Sequence, residues 1–199
     1  MSDTSNRCHW AVENALEAQY HDREWGIPCT DDAVLFEFLI LEAAQAGLSW
    51  RTVLEKRAGY QHYYKNFDVQ QVAKFEQSYI DTMLQDPAIV RNKLKVHSSV
   101  KNAQIFIQIQ AEFGSFAHYL WAFVDNKPIQ NNVVDYRDTP VSTDISKALS
   151  KDLKKRGMGF VGPTIMYAYM QAVGLVNDHE VACHCYKNSL QLGENFHIV

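Results

Sequence analysis

The segment spanning residues 176–186 reads VNDHEVACHCY and gathers two histidines and two cysteines in a short space. His179 and Cys183 stand four residues apart. On a helix that spacing places both on one side about one turn apart, so an imidazole nitrogen and a thiolate sulfur can reach one metal ion. Two ligands do not complete a tetrahedral site. Elsewhere the only cysteines are Cys8 and Cys29, and the histidines nearest Cys8 in a polar segment are His9 and His21. Joining Cys8 and His21 to His179 and Cys183 would give a set of two cysteines and two histidines that staples one chain end to the other. Spacing alone does not select it. The twelve residues between Cys8 and His21 match no common local zinc-finger pattern, and His184 and Cys185 compete for the same ion. All of these could equally be ordinary buried side chains of a helical protein.

A second group with chemical reach is Glu42. It follows Leu39 by three residues and Phe38 by four, on the apolar face of a segment otherwise rich in Leu, Ile, Phe and Ala, so it points inward. A buried carboxylate needs a partner, either an internal cation or cap, or a ligand. Trp50 follows Gly47 and Leu48 at a turn and can lie near Glu42, while Tyr20 and Trp10 flank the proposed ligands His21 and Cys8. In a chain with 10 Phe, 10 Tyr and 4 Trp, residue type alone does not separate these aromatics from core. Positive charge concentrates in DPAIVRNKLKV (86–96), where Arg91, Lys93 and Lys95 follow Asp86 with no further acid.

The elements that must position these residues are helices. DDAVLFEFLILEAAQA (31–46) opens on an aspartate pair suited to N-capping and stops at Gly47. Helical spacing also runs through 49–67, VQQVAKF, QSYIDTMLQ, 92–114, 115–124, VSTDISKALSKDLKKRG and GPTIMYAYMQAVGLV, the last with Pro163 near its first turn. The polar run 125–140 is the only long loop, and its Val-Val pair is too short to support a sheet. The fold class is all-α. At 199 residues and 47% hydrophobic content, the chain makes one compact unit with a real core. It has no apolar window long enough for a membrane span and no signal peptide, which places it in the cytoplasm and its cysteines as thiols or ligands rather than disulfides. A net charge of −4 excludes a protein that coats nucleic acid indiscriminately and leaves room for a local basic face.

Six blocks, RCHW (7–10), YHDREWG (20–26), LEAAQAGLSWRTVLEKR (41–57), VRNKLKV (90–96), LKKRGMGFVGPTI (153–165) and MQAVGLVNDH (170–179), resemble the bacterial DNA-3-methyladenine glycosylase I family from about residue 7 to 186. That resemblance implies a helix-hairpin-helix DNA repair glycosylase whose termini are joined by a structural zinc on Cys8, His21, His179 and Cys183. It implies a base pocket of Tyr20, Glu42 and Trp50, with Trp10 as a further aromatic, and a monofunctional enzyme without lyase activity. The expected partner is double-stranded DNA carrying N3-alkylated purines, bound by a monomer. Backbone contacts fall to the hairpin around Ala88, Arg91 and Lys93, and the turn bearing Gly47 and Leu48 enters the gap left by the extruded base. Two departures stand out: Glu17 replaces an aromatic common in the family, and Ala88 a glycine common in such hairpins.

The chemistry follows from the substrate. Cleaving a base from deoxyribose passes through an oxocarbenium-like state, and N3-alkylated adenine is already cationic, so it leaves without strong protonation. The protein must flip the nucleotide, stack the base and reject neutral adenine. Many glycosylases of this superfamily place an aspartate shortly after the hairpin, yet no Asp occurs between Asp86 and Asp125. Glu42, acting through water, is then the catalytic candidate. A zinc hydrolase is disfavoured because four protein ligands close the metal. The alternative is a non-catalytic, zinc-stapled DNA-damage binding module.

Overall fold

The computed structural model describes residues 6–198. Among them run ten helices: α1 (Ala15–Arg23), α2 (Asp32–Gln45), α3 (Trp50–Tyr63), α4 (Val69–Val72), α5 (Gln77–Met83), α6 (Lys93–Phe113), α7 (Phe116–Trp121), α8 (Asp144–Arg156), α9 (Pro163–Ala172) and α10 (Tyr186–Glu194). Local chemistry sets their ends. The Asp31 carboxylate accepts from the Ala33 N–H, Ser49 from Thr52 and Asn92 from Lys95, each satisfying an orphan donor of a first turn. At the other ends, Gly114 closes α6 at φ +87° and Gly157 closes α8 in the left-handed region. The Val133-Val134 pair joins no strand, but the 125–140 run pairs elsewhere. Ile129–Gln130 (β1) forms a two-residue parallel bridge with Val176–Asn177 (β2), because Ile129 donates to Leu175 O and brings the loop onto the last segment.

α2 is the axis of the molecule. It packs against α3, α6, α7 and α9, and Leu35, Phe36, Leu39 and Leu41 are fully buried. Each such side chain contributes about 1.5–3 kcal/mol. Its first residue does structural work as well. Asp32 accepts from the Phe116 and Ala117 N–H groups at 2.8 Å each, capping α7 from outside. The last turn of α2 delivers Glu42 to the interior near the start of α3.

Two turns connect this core to the basic surface. Residues 86–92 join α5 to α6, and the turn is pinned to α3: Lys56 Nζ donates to Pro87 O at 2.5 Å and Val90 N–H to the Tyr60 hydroxyl at 3.3 Å. Gly59 makes that approach possible, since a Cβ there would lie 2.2 Å from Ala88 O. The other turn, 157–162, links α8 to α9, which pack along each other. It abuts α6, where Ser98 Oγ would sit 2.4 Å from a Cβ at Gly159.

Gly59→Ala is the sharpest test of the hairpin's anchoring. Overpacking against backbone costs about 1–3 kcal/mol and helix propensity returns roughly 1. A thermal melt followed by circular dichroism should therefore show Tm lower by roughly 2–8 °C. A Tm at or above that of wild type would mean that the hairpin backbone moves aside freely.

Candidate functional site: a metal cluster beside an aromatic pocket

Cys8, His21, His179 and Cys183 come together as expected, all buried, with their ligand atoms within 4.8 Å of one another. Cys8 Sγ lies 3.5 Å from His179 Nδ1, and Cys183 Sγ lies 3.4 Å from His21 Nε2 and 3.7 Å from His179 Nδ1. Roughly 3.5 Å is the edge of a tetrahedron with metal–nitrogen and metal–sulfur bonds near 2.0 and 2.3 Å. The surroundings also suit a cation. His21 Nδ1 meets Asp22 Oδ1 at 2.9 Å and His179 Nε2 meets Trp25 O at 3.1 Å, contacts that fix ring orientation and leave the other nitrogen for a metal. Backbone N–H groups of Glu180 and Cys185 point at the sulfurs of Cys8 and Cys183. Arg7 holds Asp22 with both carboxylate oxygens engaged. His184 and Cys185 stand beside this set, partly exposed, and make two further groupings within the same 4.8 Å reach, Cys183 with His184 and Cys185, and Cys185 with His21 and Asp22.

Adjacent residues turn to a second site. Tyr20 and Asp178, each the neighbour of a cluster histidine, line a cavity of about 250 Å³ together with Trp10, Trp25, Glu42 and Trp50. The rings of Tyr20 and Trp50 lie 5.1 Å apart, and Trp10 meets Trp25 edge-on at 5.1 Å. Glu42 is 4% exposed and its Oε2 has no hydrogen-bond partner; Trp50 Nε1 is likewise buried and unpartnered. Burial without a counter-charge pushes the Glu42 carboxyl up to about 8. Burial, then the proximity of Glu42, pushes the Tyr20 phenol up, so it stays protonated.

The cavity has walls that sequence reasoning missed. Ala168 and Gln171 come from α9, and Tyr136 and Thr139 from the loop set aside as unstructured. Asp178 is the most consequential of them. It is buried and accepts from Asn131 at 2.6 Å, and from Tyr167 and Gln171 at 2.7 Å each, so a second carboxylate faces the pocket. No Asp lies between Asp86 and Asp125, the stretch that follows the 86–96 hairpin. Asp178 instead follows the α8–α9 pair, and the MQAVGLVNDH block was the available signal.

On the surface, Arg91 and Lys93 are exposed at the start of α6. The Ala88 N–H is already taken by Asp86 Oδ1 at 2.8 Å. Lys95 is not a free charge: its Nζ donates to Ala44 O at 2.7 Å and Ala46 O at 2.6 Å, holding the end of α2 and lowering its own pKa by burial. That clamp fixes the 46–49 turn, where Gly47 has φ +76° and Leu48 projects into solvent. Glu17 pairs with Arg51 at 3.1 Å and does not line the cavity.

Aromatic faces around an unpartnered acid line the cavity. The sequence profile of the methyladenine glycosylase family matches residues 10–186, and the chain belongs to that family, whose members act on N-glycosyl bonds. It is 44% identical over 181 residues to DNA-3-methyladenine glycosylase of Haemophilus influenzae, covering 91% of this chain and 98% of that one. It is 44% identical to DNA-3-methyladenine glycosylase 1 of Escherichia coli, covering 90% and 96%. A crystal structure of 3-methyladenine DNA glycosylase I superposes with a TM-score of 0.88 at 43% identity, covering 90% of this chain and 99% of the other. The structure of the Staphylococcus aureus glycosylase, solved for 3-methyladenine recognition, gives 0.87 at 34% identity, covering 90% and 96%.

Two measurements test the site. Elemental analysis should find about one tightly held divalent ion per chain, lost in Cys8→Ser and Cys183→Ser and kept in Cys185→Ser; loss in all three would put Cys185 in the set. The second concerns Glu42, whose carboxyl rises from an ordinary 4.5 to about 8 on folding. Between those values the folded protein holds a proton that the unfolded chain has released, so stability falls as pH rises through the window. Glu42→Gln should flatten that slope in urea melts from pH 5 to 8 and be the more stable protein at pH 8. An unchanged slope would mean that the carboxyl is hydrated.

Proposed function

We propose that the protein hydrolyses the N-glycosidic bond of 3-methyladenine in alkylated double-stranded DNA, as a zinc-bearing, monofunctional monomer. The observation that carries this reading is Glu42: a buried, unpartnered carboxylate at an aromatic cavity. An isolated buried acid is costly and persists where a ligand completes it. A cationic base entering between Tyr20, Trp50 and Trp10 favours the charged form of Glu42 and gains from the ring faces. Neutral adenine offers no such gain and leaves the acid unpaired. Trp50 Nε1 supplies a donor to an edge acceptor of the base.

The base, being cationic, departs without a strong general acid. What the protein adds is position, exclusion of water and negative potential near the sugar, where positive charge develops. Glu42 and Asp178 are the two carboxylates able to supply that potential or to orient the attacking water. The four cluster residues fit zinc, which would cross-link the chain ends and take no part in bond cleavage, because they fill a tetrahedral shell. A lyase step needs a lysine amine at the sugar. None lines the cavity, and the desolvated Lys95 is engaged by two carbonyls.

DNA engagement fits the same face. Leu48, on the turn fixed by Lys95, enters the space left by the flipped nucleotide, with Gly47 permitting the turn. Arg91 and Lys93 take phosphates beside the α6 N-terminus, and the glycine-bearing 157–162 turn adds backbone donors.

The deciding experiment is chromatographic separation of bases released from methylated DNA. Wild type should release 3-methyladenine and leave 7-methylguanine in place, while Glu42→Gln falls by roughly 10–100-fold, the worth of one charged hydrogen bond. A folded, metal-bearing wild type that binds alkylated DNA and releases nothing would overturn the enzyme reading in favour of a damage-binding module.

A further inference from the structure

The outer wall of the cavity comes from the 125–140 loop, which carries Tyr136 and Thr139 into it. Tyr136 is 37% exposed, one face toward the cavity mouth, and its ring lies nearly parallel to that of His9, 5.6 Å away at 11°. Only the bridge at Ile129–Gln130 and one 3-10 turn, Tyr136–Asp138, lie in this stretch. Its backbone is instead tied to the segment that bears the cluster ligands. The Tyr136 N–H donates to Glu180 Oε1 at 2.9 Å, and the His9 N–H donates to Glu180 Oε2 at 3.1 Å. The Val181 N–H donates to Val133 O at 2.8 Å. Glu180 therefore bridges the loop and the N-terminal segment with its two oxygens, while its own N–H is given to Cys8 Sγ at 3.3 Å.

From these contacts we infer that Tyr136 is a specificity-determining residue of the base pocket and that Glu180 is the positioning residue that holds it there. The inference rests on the glycosylase reading above and extends it to the loop. A ring at the mouth covers the exposed face of a bound base and sheds water from the glycosidic bond, a role that needs the loop held at a fixed distance. Glu17 is turned to Arg51 and does not line the cavity, whereas Tyr136 does. Glu180 itself does not line the cavity; it acts through the Tyr136 backbone. Glu180 offers an acceptor oxygen to each N–H, whereas a glutamine would present an NH2 donor in place of one of them.

The test compares wild type, Tyr136→Ala, Tyr136→Phe, Glu180→Ala and the double variant Tyr136→Ala/Glu180→Ala, each checked for metal content. Steady-state release of 3-methyladenine from methylated duplex should show KM raised about tenfold with kcat within about threefold in Tyr136→Ala, largely restored in Tyr136→Phe. Glu180→Ala should reproduce the rise with metal retained, and the double variant should be no worse than Tyr136→Ala. Amide hydrogen exchange at 133–139 should speed up in Glu180→Ala whatever the activity. An unaltered KM in Tyr136→Ala overturns the role of Tyr136; additive losses in the double variant, or unchanged exchange, overturn the clamp. A wild type that releases no base refutes the glycosylase reading and the role of Tyr136 with it, while exchange still decides the clamp.

Discussion

The structure turns on a buried acid that no group of the folded protein partners. Glu42 sits in the last turn of α2, a largely buried helix, with an oxygen that lacks a partner. Keeping it there costs desolvation free energy that must be offset by the packing around it. Leu35, Phe36, Leu39 and Leu41 lock the helix from within, and Lys95 ties its C-terminal carbonyls from outside. A rigid frame is what preserves an unpaired acid, because a softer one would let water or a cation reach it.

The metal cluster and the pocket are two faces of the same short segments. Tyr20 and His21 are neighbours on α1, and Asp178 and His179 are neighbours after β2; in each pair one residue faces the cavity and the other the cluster. Trp25 stands between, lining the cavity with its ring while its carbonyl meets His179. The meeting of Cys8 and His21 with His179 and Cys183 thereby brings together pocket walls that belong to segments more than a hundred residues apart in sequence. Loss of either ligand pair would free α1 and the loop after β2 together.

The same economy orders the polar surface. The 46–49 turn, the 86–92 turn and the 157–162 turn all meet at the N-terminal half of α6, through Lys95, the Asn92 cap and Ser98. Glycine is needed where the Ala88 backbone passes closely over Gly59, and the Ser98 side chain lies close against Gly159. Most of the strong ion pairs lie away from this face: Arg57 with Glu24 and Glu37, and Arg156 with Glu112 and Asp152. Arg91 and Lys93 stay uncommitted and exposed, suited to phosphate.

By itself the sequence determined the all-helical class, the ends of α2 and α6, the C-terminal end of α8, the start of α9, the inward direction of Glu42, and the inventory of possible metal ligands. These follow from periodicity, capping residues and the scarcity of cysteine, all local or compositional signals. Its motif blocks added the family and the four-residue ligand set, which spacing had left open against His184 and Cys185. Only the tertiary structure decided the rest. Tyr136 and Thr139 lie in a polar loop without periodicity, and Lys95 looks like any basic residue of a charged turn until its ammonium is found on the α2 carbonyls. Asp178 reads as the neighbour of a ligand until β2 and α9 bring it against Gln171 and the cavity. Side-chain roles of this kind are fixed by which surfaces meet across the chain, and that information lies in long-range packing rather than in any stretch of residues.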